Sequence, residues 1–114
     1  MRRIIYLAAP YTDPDPAIRQ ERYERVTEAA MRLVEQDHIV FSPLTHSHPI
    51  EVLSSAIRPS DWWCDFDETF MAVCTEMAIL PLPGWERSSG VARERAYFEE
   101  RGRPVWIIEP ESIA

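Results

Sequence analysis

Apolar residues along this chain alternate between short unbroken runs and longer stretches with helical spacing. Residues 3–9, RIIYLAA, form a run that reads as a strand buried on both faces, and Pro10 ends it. YTDPDPAI follows as turn chemistry, with Asp15 placed to cap a helix and Pro16 at its first position. From 17 to 36, Tyr23, Val26, Ala30 and Leu33 recur at helical spacing with charges opposite, which predicts an amphipathic helix. HIVFS (38–42) reads as a second strand, PLTHSHPI as a loop, and 50–57 as a weak short helix.

The segment Arg58-Pro59-Ser60-Asp61 breaks the chain and can cap a third helix over 61–74, striped by Trp62, Phe66, Phe70 and Val73. EMAILPL (76–82) gives a third strand, 89–101 a helix closed by Gly102, and PVWIIE (104–109) a last strand. Apolar strands alternating with helices predict one α/β domain over 1–114 with a parallel sheet and right-handed crossovers. Ligands of such sheets bind beyond the carboxyl ends of the strands, which points to loops 9–14, 42–49 and 83–90 and to the chain after 109.

Charge narrows the partners. A net charge of −7 argues against a nucleic-acid polymer or an anionic membrane surface, both of which need clustered positive charge. No apolar run approaches the roughly 20 residues of a transmembrane helix, and the apolar start is too short for a secretory signal. Cys64 and Cys74 form no CxxC pair and lie in apolar surroundings, so free thiols and a cytoplasmic location are expected. All 12 basic residues are arginines, which excludes Schiff-base lysine chemistry and a P-loop lysine in this chain.

The stretch SSGVARE (88–94) carries the most chemistry. Ser88, Ser89 and Gly90 open a helix, where unpaired amides and the positive dipole end favour an anion. A plain serine cap explains the same residues. Glu94 shares a helical face with Val91 and Phe98, the face that meets the sheet, and a carboxylate there must be paired or functional. An arginine partner, Arg93 or Arg95, is the structural alternative. Asp67 lies on the preceding helix amid Asp61, Asp65 and Glu68, so either a solvated acidic face or a second site acid fits it. Two converging carboxyls would suit glycosidic bond cleavage. His46 and His48 make an H-x-H pair that needs a further ligand to hold zinc, so no metal is expected. Trp63 and Trp85 could stack on a base or cover a pocket, with core packing and an interface as their structural alternatives.

With these residues in view, the chain resembles the nucleoside 2-deoxyribosyltransferase superfamily, in a small branch that shares HSHPI after the second strand and LPGW before the serines. The resemblance rests on IIYLAAPYT, on Asp67 before strand three, and on SSGVARE, which is similar to the signature of nucleoside 5′-monophosphate N-glycosidases. It implies a three-layer, Rossmann-like or flavodoxin-like fold with a four- to five-stranded parallel sheet. It also implies cleavage or transfer at the N-glycosidic bond of a (2′-deoxy)nucleoside or its 5′-monophosphate. Glu94 would be the nucleophile, Tyr6 its hydrogen-bond partner, Asp67 the acid assisting the base, and Ser88 the phosphate holder. Ala9, Pro10, Tyr11, His46, Trp63, Trp85, Ser89 and Gly90 would line the substrate, with no cofactor required. A homodimer or larger homo-oligomer is expected. The same fold could instead serve as a non-catalytic nucleotide-binding module. Two departures mark this chain: Ala9 stands where the family often has glycine, and PLPGW replaces an acid at the end of strand three.

Overall fold

The computed structural model describes residues 2–54 and 58–109. Four strands, β1 (Ile4–Ala8), β2 (Ile39–Phe41), β3 (Glu76–Ile79) and β4 (Val105–Ile107), form one sheet in the order β2-β1-β3-β4. Every pairing is parallel, with Tyr6 opposite Phe41 and Met77, and Ala8 opposite Ile79. The four-stranded α/β architecture agrees with the expectation from sequence. The order in which the chain adds strands reverses between β1 and β3, the position at which such folds open a ligand crevice.

Side-chain alternation along the strands divides the core. Ile5 and Leu7 join Val26, Ala29 and Leu33 of α1 (Pro16–Glu35) on one face. Tyr6 and Ala8 point the other way, into a cluster with Met71, Cys74, Met77, Val91 and Phe98. That second face is covered by α3 (Ser60–Met71) and α4 (Ser89–Glu100). Asp15 caps α1 as expected, its carboxylate accepting from the Ala17 amide at 2.9 Å.

Three expectations are corrected. PLTHSHPI is not a loop: with the following residues it forms α2 (Pro43–Leu53), which packs on α1 and β1. Pro43 sits in the first turn, where its missing N–H costs nothing, and the Ser42 hydroxyl accepts from the Thr45 amide. The weak helix placed at 50–57 is the end of this element, and residues 55–57 lie outside the described residues. The α3 helix starts at Ser60 behind Pro59, with no side-chain cap from Ser60 or Asp61. It ends at Met71, so Val73 falls beyond it and is exposed, and Met71 is the buried residue of the helix.

Candidate active site

The α4 helix begins where the chain leaves the crevice. Gly84 holds a left-handed φ of 89°, which favours glycine, and starts a 3-10 turn over Trp85–Arg87. Ser88 then caps α4, its Oγ accepting from the Val91 amide at 3.2 Å. Acting as an acceptor leaves the Ser88 hydroxyl proton free to donate. A Cβ built on Gly90 would meet Ser88 Oγ at 3.8 Å, an ordinary contact, so packing does not demand glycine there.

One turn further along, Glu94 lies between the buried residues Val91 and Phe98 and points at the sheet. The Tyr6 hydroxyl donates to its Oε2. Tyr6 is fully buried in mid-strand, wedged against Phe41 and Phe98, so the phenol has little freedom to leave the carboxylate. Burial raises the Glu94 carboxyl, the Tyr6 hydrogen bond pulls it down, the Asp67 charge pushes it up and the Arg93 charge pulls it down, which leaves it at about 8. No arginine ion pair neutralises Glu94 within 4.0 Å among the described residues; Arg95 pairs with Glu99 instead, at 3.3 Å.

Asp67 belongs to the same constellation rather than to a solvated acidic face. It is half-buried, unlike the exposed Asp61, Asp65 and Glu68, and burial raises its carboxyl to about 7. Its Oδ1 is buried without a hydrogen-bond partner, and so is Trp63 Nε1 one turn earlier on α3. An unpartnered buried donor and acceptor on one helix face are uncommon in folded proteins and mark a place where a ligand can complete the bonding. Cys64, expected from the sequence only as a free thiol, lies close to these groups. Its thiol is raised by burial, then influenced by Arg93, Asp67 and Glu94. Both cysteines are free, Cys64 half-buried and Cys74 buried.

The remaining sequence candidates separate into two groups. Trp85 is half-buried and packs on the cluster that contains Tyr6 and Val91. Ala9 and Pro10 are buried directly beyond β1. Ser89 and Gly90 are exposed in the first turn of α4. Tyr11 does not reach the carboxylates: its phenol turns toward α2, 2.6 Å from His48 Nδ1 and 3.2 Å from Glu51 Oε2. His46 is exposed and stacks on Phe66, with ring centroids 5.4 Å apart.

The H-x-H pair is therefore split between two environments. His48 is 5% exposed and engages both ring nitrogens, Nδ1 with Tyr11 and Nε2 with Gln20 Oε1 at 2.8 Å. Its neighbourhood includes no third ligand, and no group of three or more His, Cys, Asp or Glu could hold a metal ion among the described residues. No helix among them is long and apolar enough to cross a membrane. The signal for His48 was present in HSHPI, but its partners are remote in sequence and could not be read from it.

Comparison with solved structures finds the same architecture in a 2-deoxyribosyltransferase from the bacterium Bacillus psychrosaccharolyticus. The likeness has a TM-score of 0.65 and 22% identity, and covers 96% of this chain and 79% of that one. At that identity it is the fold that is shared. No match was found among curated proteins. A family model spans residues 3–110, and the chain belongs to that family, described as a domain of unknown function (DUF1937).

Proposed function

We propose that the protein cleaves or transfers the N-glycosidic bond of a (2′-deoxy)nucleoside or its 5′-monophosphate, with Glu94 as nucleophile. The observation that carries this reading is the Glu94 carboxyl: turned to the sheet, bonded to the buried Tyr6 phenol, and raised to about 8 beside Asp67. It lies at the topological switch point of a fold shared with a deoxyribosyltransferase. The Arg93 charge acts on Glu94 and lowers its carboxyl, but no ion pair forms between them within 4.0 Å among the described residues.

Nucleophile and acid must divide one proton between them. Two like charges in a dry site do not ionise together easily, so the pair retains a proton through the neutral range. The Tyr6 O–H stabilises the charged form of Glu94, whereas Asp67 Oδ1 has no donor. With Glu94 at about 8 and Asp67 at about 7, the resting proton favours Glu94. It must pass to Asp67 before attack, a shift that the Tyr6 bond to the Glu94 anion eases. Glu94 attacks C1′ as the base departs with the proton from Asp67, giving a glycosyl-enzyme ester. Water then completes hydrolysis, or a second base completes transfer. Ser88, Ser89 and Gly90 would receive a 5′-phosphate at the α4 amides, one helical turn before the acid, roughly 5.4 Å of rise. Trp63, Trp85 and His46 supply flat surfaces near the base, and Ala9 and Pro10 form the wall beyond β1.

Ile50, Val52 and Leu53 expose apolar side chains along α2, which supports a homodimer or larger homo-oligomer. The decisive experiment is chromatographic detection of free base from a panel of nucleosides and monophosphates. Wild type should release base and Glu94→Gln should not. Saturable binding without turnover in both proteins would establish a nucleotide-binding module instead.

A further inference from the structure

The wall of the crevice beyond β1 is held by a buried histidine that the proposed chemistry does not use. His48 lies between α1 and α2, stacked on Tyr23 with ring centroids 4.6 Å apart and meeting Tyr11 edge-on at 5.5 Å. Burial lowers its pKa, so the ring is neutral at pH 7. Gln20 Oε1, 2.8 Å from Nε2, can only accept, which places the single ring proton on Nε2. The Nδ1 lone pair then faces the Tyr11 phenol at 2.6 Å, the nearer acceptor for its one proton, with Glu51 Oε2 the farther one at 3.2 Å. The charged groups acting on the ring are Glu51 from α2 and Arg19 and Glu24 from α1.

The backbone of the same loop is gripped from α1. The Arg22 guanidinium donates to the carbonyls of Tyr11 at 3.3 Å and Thr12 at 3.1 Å, and reaches the Pro83 carbonyl at 3.4 Å. Arg22 thereby ties the loop after β1 to the loop after β3, the two segments that flank the switch point. The Tyr11 side chain is thus fixed by α2 while its main chain is fixed by α1. Pro49, directly after His48 inside α2, gives that backbone a fixed φ.

We propose that His48 is a positioning residue: through its Nδ1 bond to Tyr11 it fixes the Ala9–Thr12 wall against which a ligand at the Glu94 site binds. The ligand part of this statement rests on the glycosidic reading, whereas the wall itself can be tested without any substrate. Tyr11→Phe removes the hydroxyl and with it the contacts to both His48 and Glu51, whereas His48→Leu removes the nitrogen acceptor and keeps Glu51. Both should lower the backbone order parameters of residues 11–13 from about 0.85 to below about 0.6 in nitrogen relaxation and leave those of β3 unchanged. In the wild type, nitrogen NMR should find the His48 proton on Nε2. Unchanged order parameters in His48→Leu, or a proton on Nδ1 at pH 7, overturns the proposal. With a turned-over nucleoside, both variants should raise KM about tenfold and keep kcat within twofold; a fall in kcat at constant KM overturns it. If the wild type turns over no nucleoside, the glycosidic reading fails and the order parameters alone decide the role of His48.

Discussion

Two carboxylates close to the same sheet show how differently one functional group is treated at its two ends. Glu76, at the start of β3, is 6% exposed and receives Arg3 Nε at 2.7 Å, Arg3 Nη2 at 2.6 Å and Trp106 Nε1 at 3.0 Å. Those bonds hold its carboxyl below the ordinary value of 4.5. Glu94, on α4 and bonded to the middle residue of β1, receives one phenol, and its carboxyl rises to about 8. Both oxygens of the first acid are answered, and it links the residue before β1 to β3 and β4. The second has been left wanting, next to another acid in the same condition. Saturation marks structure and deficit marks chemistry.

The largest effect should come from breaking the deficient side. Glu94→Gln keeps shape and removes the nucleophile, so base release should fall by at least about a thousandfold. Stability should move the opposite way. A carboxyl raised in the folded state binds its proton more tightly there than in the unfolded chain. Stability is then intact below pH 4.5 and is lost as pH climbs toward 8. Glu94→Gln should therefore match wild type in acid and melt above it at pH 9, measured by calorimetry at both pH values.

Glu76→Gln should show the mirror image. It leaves Arg3 and Trp106 with a weaker acceptor and should cost about 2 kcal/mol at pH 7, a figure limited by the 59% exposure of the Arg3 side chain. Because the folded carboxyl is held low, its contribution is present above 4.5 and disappears as pH falls through the folded value. The penalty measured in urea at pH 7 should shrink toward zero in acid. Catalysis, measured at a temperature where both proteins are folded, should be unaffected.

How much of this contrast the chain declared depends on the sequence distance between partners. The strands were readable because apolar runs such as IIYLA have few other fates, and Glu94 stood out because Val91 and Phe98 share its face. Glu76 gave no such signal, since Arg3 lies 73 positions away and Trp106 lies 30 away. The α2 helix was missed for a local reason. Ser42-Pro43 is the same cap-and-proline start as Asp15-Pro16, but Pro49 seven residues in argued for a loop. Tertiary anchoring won there, with Pro43 and His48 both buried. Asp67 could not be separated from its acidic neighbours by spacing, because only packing leaves Asp61, Asp65 and Glu68 in water while covering Asp67.

Tyr6→Phe sharpens the comparison by making the deficit complete. The phenol is the one group whose hydrogen bond lowers the Glu94 carboxyl, so its loss should push that group above about 8. The acid limb of the pH–rate profile should move to higher pH, and the rate at pH 7 should drop by about tenfold to a hundredfold. An unchanged acid limb would show that Glu94 is not the ionising group.

The smallest expected effect separates capping from binding at the start of α4. Ser88→Ala removes the acceptor of the Val91 amide, which should cost about 1 kcal/mol in urea unfolding. Ser88→Thr and Ser88→Asp preserve a capping oxygen and should recover most of that loss. Phosphate recognition would respond differently, because it needs a donor and tolerates no added negative charge. Ser88→Asp should therefore keep the helix and lose the preference for a 5′-monophosphate over the free nucleoside, while Ser88→Thr retains both. If Ser88→Asp binds the two ligands in the wild-type ratio, the hydroxyl is a cap alone, and the α4 terminus contributes nothing to the choice of substrate.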